Sequence, residues 1–405
     1  MHILASRTRD EFLACPQLLR IAYPRGSGRM PTLLVKATTL SLKYFIRLKR
    51  SRLVLLTVQQ FLLYGLEIEG DGSGAVRWSL VETAEELRTL KKLTSRSTLR
   101  ICLFNELAVN VAEGDIIIRV PSRTLTSLIN ATIKYPTRPD GVEEPVAEEA
   151  DRRLGLLLAG ALSAAEGLIV DLPQPRQWLP VSSHYITKRA ESSRISIFDP
   201  DEGKQQEAIA LWLVDSLDLD GAIRNPQVHE NTKVRELTDL LLSYDNGAFL
   251  IESKALSMLS RPKLPGREKL ATQVVAHVKK AVRQLVGGFK NVQRGLCVTD
   301  LAGKVIKVER IKAAHLIVLV PELALLTNTT EFNQSFYAEA MRASGAFLHI
   351  LDLSELLRVV QAAQKIASLG KKTTPLMALD YYLMKRTDYF TEIGHPTFNV
   401  LLRVN

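Results

Sequence analysis

Residues 238–255, TDLLLSYDNGAFLIESKA, limit what this chain can fold into more than any other stretch. Two apolar runs, 240–244 and 248–251, flank Asp245-Asn246-Gly247. Asn-Gly between apolar runs is a strong local hairpin signal, because both central residues of a type I′ turn need positive φ. With Asn246 and Gly247 as a two-residue loop, Asp245 faces Ala248 and Asp239 falls opposite Lys254. Side chains alternate between faces along a strand, so Glu252 shares a face with Lys254. Two carboxylates and one ammonium then gather on one patch, whereas a three-residue loop would turn Asp239 to the other face. The ordinary alternative is a solvated salt bridge on a hairpin.

Clustered carboxylates are hard oxygen ligands of the kind that hold Mg²⁺, which keeps several waters and bridges to phosphate oxygens. A lysine beside them can orient or deprotonate an attacking water and stabilise charge on the phosphoryl group. In these residues the chain resembles the PD-(D/E)XK nuclease superfamily, whose pattern is an acidic residue opening one strand and Glu-x-Lys on the next. Here the pattern is Thr238-Asp239 and Glu252-Ser253-Lys254, with threonine in the place of the proline. The resemblance covers residues 200–320 and implies a restriction-endonuclease-like mixed sheet flanked by helices. It also implies Mg²⁺ or Mn²⁺ as cofactor, held by Asp239 and Glu252, and hydrolysis of a nucleic-acid phosphodiester. DNA is expected rather than RNA, endonuclease rather than exonuclease action, and a prokaryotic restriction or anti-phage context. The rival is a non-catalytic nucleic-acid-binding or scaffolding protein that keeps the fold. The blander alternative is an unrelated interaction protein.

The sequel to the hairpin is helical by period. In 267–286, Leu270, Val274, Val275, Val278, Val282, Leu285 and Val286 share one broad arc, the stripe of a packed helix. Gln273, His277, Lys280 and Gln284 recur on the opposite face. In the superfamily this helix runs beside the active site and often offers it a Gln or Lys, which makes Gln273 and Lys280 the candidates. His277 reads as a surface histidine. Upstream, 201–217 reads as a buried helix, and the resemblance makes Glu207 the candidate for a further metal ligand, with Glu230 and Glu236 as competitors.

The charge balance supports a polyanionic partner. Lys and Arg number 53 against 43 Asp and Glu, a net charge of +10, and such an excess favours nucleic acid. Between Lys263 and Lys312 the count is 12 Lys or Arg against three acidic residues, so Lys279, Lys280 and Arg283 are the expected nucleic-acid contacts. Two scissile strands often call for two sites, so a homodimer is plausible chemistry. Cys15, Cys102 and Cys297 are scattered and lack CxxC spacing, which argues against a disulfide framework or zinc site and suits a reducing, cytoplasmic setting. The apolar segments 53–66 and 154–172 carry Gln59-Gln60 and Glu166 and do not read as membrane spans.

The expected fold class is α/β for the nuclease-like region and α+β for the whole chain, with domains at 1–195 and 196–405. The first region has no catalytic constellation and is expected to bind a partner protein or regulate the second. In it, 62–69 and 75–81 read as a hairpin around glycines 70, 72 and 74, and Thr83-Ala84-Glu85-Glu86 as a capping box. Strands are expected at 99–104 and 115–120, and a linker at 135–149 from its prolines and acidic cluster. After the long helix come strands near 295–298, 315–321 and 346–351, and helices near 336–342, 354–368 and 375–386.

Overall fold

The computed structural model describes residues 6–23, 30–68, 76–93, 96–131, 144–218, 220–370 and 372–393. It is a mixed α/β chain of two compact units, residues 1–182 with 196–198, and 183–195 with 199–405. No helix among the described residues is long and apolar enough to cross a membrane.

Among the described residues, the first unit holds two sheets. One has the order β1-β2-β6-β7-β9, from Leu18–Ala22, Thr32–Lys36, Ser97–Phe104, Asn110–Ile118 and Leu179–Pro180. The other has the order β5-β4-β3-β8, from Val76–Leu80, Phe61–Glu67, Arg50–Val58 and Gly167–Pro173. Its helices are α1 (Ser6–Ala14), α2 (Thr39–Arg47), α3 (Ala84–Lys91), α4 (Ser122–Asn130) and α5 (Glu144–Leu158).

The apolar run at 53–58 follows from burial on both faces of β3. Leu53 and Leu55 enter the larger core with Tyr64 and Ile101, while Val54 and Leu56 pack with Ala150 and Leu154 of α5. A strand covered on both sides needs no polar alternation. Gln59-Gln60, which interrupts the apolar segment, is the turn between β3 and β4, with Gln59 at φ 51°. The capping box forms as read: Thr83 Oγ1 accepts from Glu86 N at 3.2 Å, and Glu86 Oε2 from Thr83 N at 3.2 Å. Strands β4 and β5 pair as a hairpin, and the glycines between them lie outside the described residues.

The linker reading at 135–149 is corrected. Residues 132–143 lie outside the described residues, but 144–149 are the opening turns of α5. Pro145 falls in the first turn, where a missing N–H leaves no helical bond unmade. Val146, Ala150, Leu154 and Leu157 then bury one helical stripe, which the prolines and acidic residues of the sequence obscure.

The second unit opens with the hairpin β10 (Ser183–Ile186) and β11 (Ser192–Ile195). The expected boundary at 195 assigned these residues to the first region. They belong with the second because they pack on α6 (Glu202–Asp215). There Tyr185 meets Trp212 edge-on, with ring centroids 5.0 Å apart.

The central sheet has the order β12-β15-β16-β18-β19, from Ile223–Arg224, Leu240–Tyr244, Gly247–Ser253, His315–Leu319 and Phe347–Leu351. β15 is antiparallel to β12 and to β16, whereas β18 is parallel to β16 and to β19. A second sheet joins β13 (Gln227–Glu230), β14 (Lys233–Glu236) and β17 (Cys297–Thr299). Helices α7 (Arg267–Gln293), α8 (Gln334–Ser344), α9 (Leu353–Leu369) and α10 (Pro375–Ile393) complete the unit.

Every residue of β16 and β18 is buried, as interior strands under helices require. α7 runs well past 286, through Gly287-Gly288. A Cβ on Gly288 would stand 2.9 Å from the Leu237 carbonyl oxygen, so this glycine lets the helix lie against the segment that leads into Asp239.

Candidate active site

The hairpin forms, with a different turn from the one its Asn-Gly suggests. Tyr244 pairs with Gly247 and Leu240 with Ile251, so Asp245 and Asn246 are the loop residues. None of Asp245, Asn246 and Gly247 has positive φ, so the turn is not type I′. Lys312 holds it from outside, its Nζ donating to Asp245 O at 3.2 Å and to Asn246 Oδ1 at 2.6 Å. Gly247 serves close packing instead, since a Cβ there would lie 3.3 Å from the Ala313 carbonyl oxygen.

Moving a two-residue loop by one position shifts the register by two, which leaves every side chain on its face. Continued one step beyond Leu240, the register sets Asp239 opposite Glu252 rather than Lys254. Local bonds fix the acidic residue there. Asp239 Oδ2 accepts from Ser253 N at 2.5 Å, and its carbonyl accepts from Asn225 N at 2.8 Å. Thr238 Oγ1 donates to Ile251 O at 2.7 Å, a bond that a proline in its place could not make.

Four carboxylates sense one another at this end of the hairpin. Glu252 is buried, and burial followed by the charge of Asp239 raises its pKa, while Lys254 Nζ, 2.5 Å from Oε1, draws it down. Glu207, on α6, is raised by burial and then by Asp239, and Arg224 of β12 stands 3.6 Å away as partial counter-charge. Glu236, at the end of β14, is pushed up to about 7. Much of its side chain is exposed. Partial desolvation of its carboxyl is the largest cause, followed by the charge of Asp239, a hydrogen bond shared with it, and the charges of Glu252 and Glu207. Glu230 lies elsewhere in the charge map, paired with Arg235 at 3.0 Å and Arg294 at 3.2 Å.

Helix α7 brings a second set of groups. Gln273 Oε1 accepts from Arg261 Nη2 at 2.9 Å, so the amide is braced by a guanidinium. His277 is half-buried, and the structure corrects its reading as a surface histidine. Burial, then the charges of Lys254, Lys280 and Arg261, hold its imidazole toward the neutral form. Its Nδ1 is buried and has no hydrogen-bond partner. Among the expected nucleic-acid contacts, Lys280 and Arg283 are exposed, while Lys279 is 2.6 Å from Glu331.

The arrangement offers hard oxygen donors in excess of their cations, with one lysine poised on the inner carboxylate. Among the described residues, no three His, Cys, Asp or Glu side chains already stand at metal-binding geometry. Mg²⁺ does not require such a cage, because one or two carboxylates, waters and substrate phosphate complete its shell. The donor chemistry and the mutual repulsion of the carboxylates therefore fit that ion.

Reading the sequence misses Arg224, Arg261 and the place of His277 in this cluster. Arg224 lies on a two-residue strand that has no period to detect. The spacing of His277 with Gln273 and Lys280 was the available signal for its face. No family model, curated protein or solved structure matches the chain.

Proposed function

We propose that this chain is a metal-dependent nuclease of the PD-(D/E)XK kind, acting on DNA. The observation that carries the reading is the convergence of Glu252, Glu207 and Glu236, each with its carboxyl pKa raised in part by the charge of Asp239, around a lysine bonded to Glu252. Buried like charges destabilise a fold unless something offsets them, and a divalent cation bridging to phosphate would do so. The mixed sheet flanked by helices, with the two motif strands at its middle, agrees with the restriction-endonuclease-like fold that the resemblance implies.

In this mechanism Asp239 and Glu252 would hold Mg²⁺ or Mn²⁺, with Glu207 or Glu236 beside them. When bound, the ion supplies positive charge to the phosphoryl oxygens and acidity to a coordinated water. The chain's own groups do the rest. The Ser253 N–H fixes the Asp239 carboxylate, and Glu252 fixes the Lys254 ammonium, which donates to the attacking water or to a phosphoryl oxygen. Glu236, titrating near neutrality, can take up or release a proton within the cluster. Gln273, held by Arg261, positions the substrate from α7. Lys280 and Arg283 meet the phosphate backbone, and residues 1–182 recognise a partner or regulate cutting. The three cysteines are free, which is compatible with a reducing, cytoplasmic setting.

A second reading has one observation in its favour. The Lys254 ammonium already neutralises Glu252, as it would in a nucleic-acid-binding protein that performs no catalysis. The full chain, incubated with supercoiled plasmid, linear duplex and single-stranded RNA, separates the two. The nuclease reading expects plasmid nicking with Mg²⁺ or Mn²⁺ and none with EDTA. Tight binding of DNA without cutting under any metal condition would favour the second reading instead.

A further inference from the structure

In the first unit, strand β7 is covered along only part of its outer edge. β6 pairs with it along its length, but β9 pairs with Ala112 and Glu113 alone. Val181 N donates to Val111 O, so the peptide groups of residues 111 and 113 point toward β9. By alternation, those of Asp115 and Ile117 point the same way. The other side of the ladder agrees. Arg100 N donates to Pro31 O, which turns residue 100 toward β2 and its register partner Asp115 away from β6. Among the described residues, no strand meets β7 on this side beyond Glu113.

A groove of about 650 Å³ lies here, lined by residues of β7 and of the segment that leads into β9. Asp115, Ile117 and Arg119 are exposed and alternate with the buried Ile116, Ile118 and Val120. Ile117 is 54 % exposed. Arg100 holds Asp115 by two bonds, of 2.7 and 2.9 Å. Arg119 is bonded to no carboxylate among the described residues. Open peptide groups beside an exposed isoleucine are a template for one more strand.

We infer that this edge is a dimer interface, in which β7 of a second copy of this chain pairs antiparallel with β7 across a twofold axis at Ile117. The charges select this register. With the axis at Ile117, the two isoleucines face each other, and Asp115 of each copy falls opposite Arg119 of the other. Opposite charges across a ladder stabilise it, and like charges destabilise it. An axis one residue earlier would set Arg119 opposite Glu113, whose edge β9 already holds. An axis one residue later would set Asp115 opposite Pro121, which has no N–H to give. An axis at Asp115 would bring two carboxylates together. The same patch serves on both copies, as a closed twofold dimer requires. The interface lies within the first unit and does not rest on the nuclease reading.

Sedimentation velocity on the full chain tests the interface. The wild type should be a dimer at micromolar concentration. Ile117→Lys sets two ammonium groups on the axis, and Arg119→Glu sets a carboxylate opposite Asp115. Each should raise the dimer dissociation constant about tenfold or more while the chain stays folded by circular dichroism, since both positions are exposed. Oxidative cross-linking then tests the register, in a Cys297→Ser background because that thiol is exposed. Ile117→Cys should join two chains, since facing residues of a ladder lie about 5.5 Å apart, within disulfide reach. Arg119→Cys should not, being about 13 Å along the strand from its own counterpart. A monomeric wild type would leave the edge to a strand of another protein and overturn the assignment. A dimer unaffected by both charged variants, or the absence of a cross-link at 117, would overturn it equally.

Discussion

The two faces of the central sheet bury ionisable groups in opposite ways. On one face, Asp239 and Glu252 confront each other with Glu207 and Glu236 nearby, and the cations present are too few to settle them. His315 is the register partner of Phe249, three residues from Glu252 and hence on the other face. There Tyr244 donates to Asp380 Oδ2 at 2.5 Å, and His315 Nε2 meets Oδ1 at 2.7 Å. His315 Nδ1 lies 2.9 Å from His349 Nε2. Burial opposes the Asp380 charge, yet the bonds from His315 and Tyr244 hold its pKa below the ordinary value. A closed chain of donors and acceptors is complete without a ligand. On the first face, the charge of Asp239 helps to raise Glu207, Glu236 and Glu252. Both faces carry ionisable groups, and only on the first do like charges raise their neighbours.

The sharpest way to break this comparison is to remove the lysine. In the nuclease reading, Lys254→Ala should cut plasmid cleavage by about 10²–10³-fold, the loss of one transition-state contact of roughly 3–4 kcal/mol. Calorimetric Mn²⁺ titration should still show binding, because both oxygen ligands remain. Asp239→Ala and Glu252→Ala should lose metal binding and cleavage together while staying folded. Unfolding of either carboxylate variant would show the cluster to be structural and erase the contrast.

The opposite face should respond in stability. Asp380→Ala leaves the buried His315 and Tyr244 donors unmet, at a cost of about 2–3 kcal/mol in urea unfolding at pH 7. The folded pKa of Asp380 is depressed, so its contribution is present above the ordinary aspartate range and fades as pH falls through the folded value. The wild-type and variant curves should therefore converge in strong acid. A variant as stable as wild type at pH 7 would show that the chain of bonds adds nothing.

A smaller effect is expected on the basic helix. Reversing the charges of Lys280 and Arg283 should weaken DNA binding and flatten the salt dependence by about one counterion per lost phosphate contact. Lys279→Glu should do less, since Glu331 already occupies that ammonium. Unchanged affinity at low and moderate salt would move the binding surface elsewhere.

The smallest is a pH effect at Glu236. Its folded pKa is raised to about 7, so the folded state binds more protons than the unfolded one between the ordinary glutamate range and neutrality. Its contribution is full below the ordinary range and lost as pH rises through the folded value. Glu236→Gln should therefore stabilise the protein at pH 8 relative to pH 5, by about 1 kcal/mol or less, since exposure screens the charge. Thermal melts at the two pH values measure it, and no pH dependence would remove Glu236 from the cluster.

The sequence alone determined that Asp239, Glu252 and Lys254 share a face, and the reason is parity. Any two-residue loop keeps alternation intact, so the gathering survived a turn one position earlier than Asn-Gly suggests. It also determined the buried stripe of α7, because helical period is a local property that packing only has to accept. The same holds for the capping box at Thr83. Tertiary structure decided which residue faces which. Lys312, far along the chain, sets the turn, and Asp239 thereby meets Glu252 instead of Lys254. Arg224 and Glu236 reach the cluster from strands of two and four residues, too short to carry a readable pattern. Residues 144–149 became helix because Val146 and Ala150 found the far face of β3. Contacts such as these depend on chain segments distant in sequence, whose meeting no local window contains.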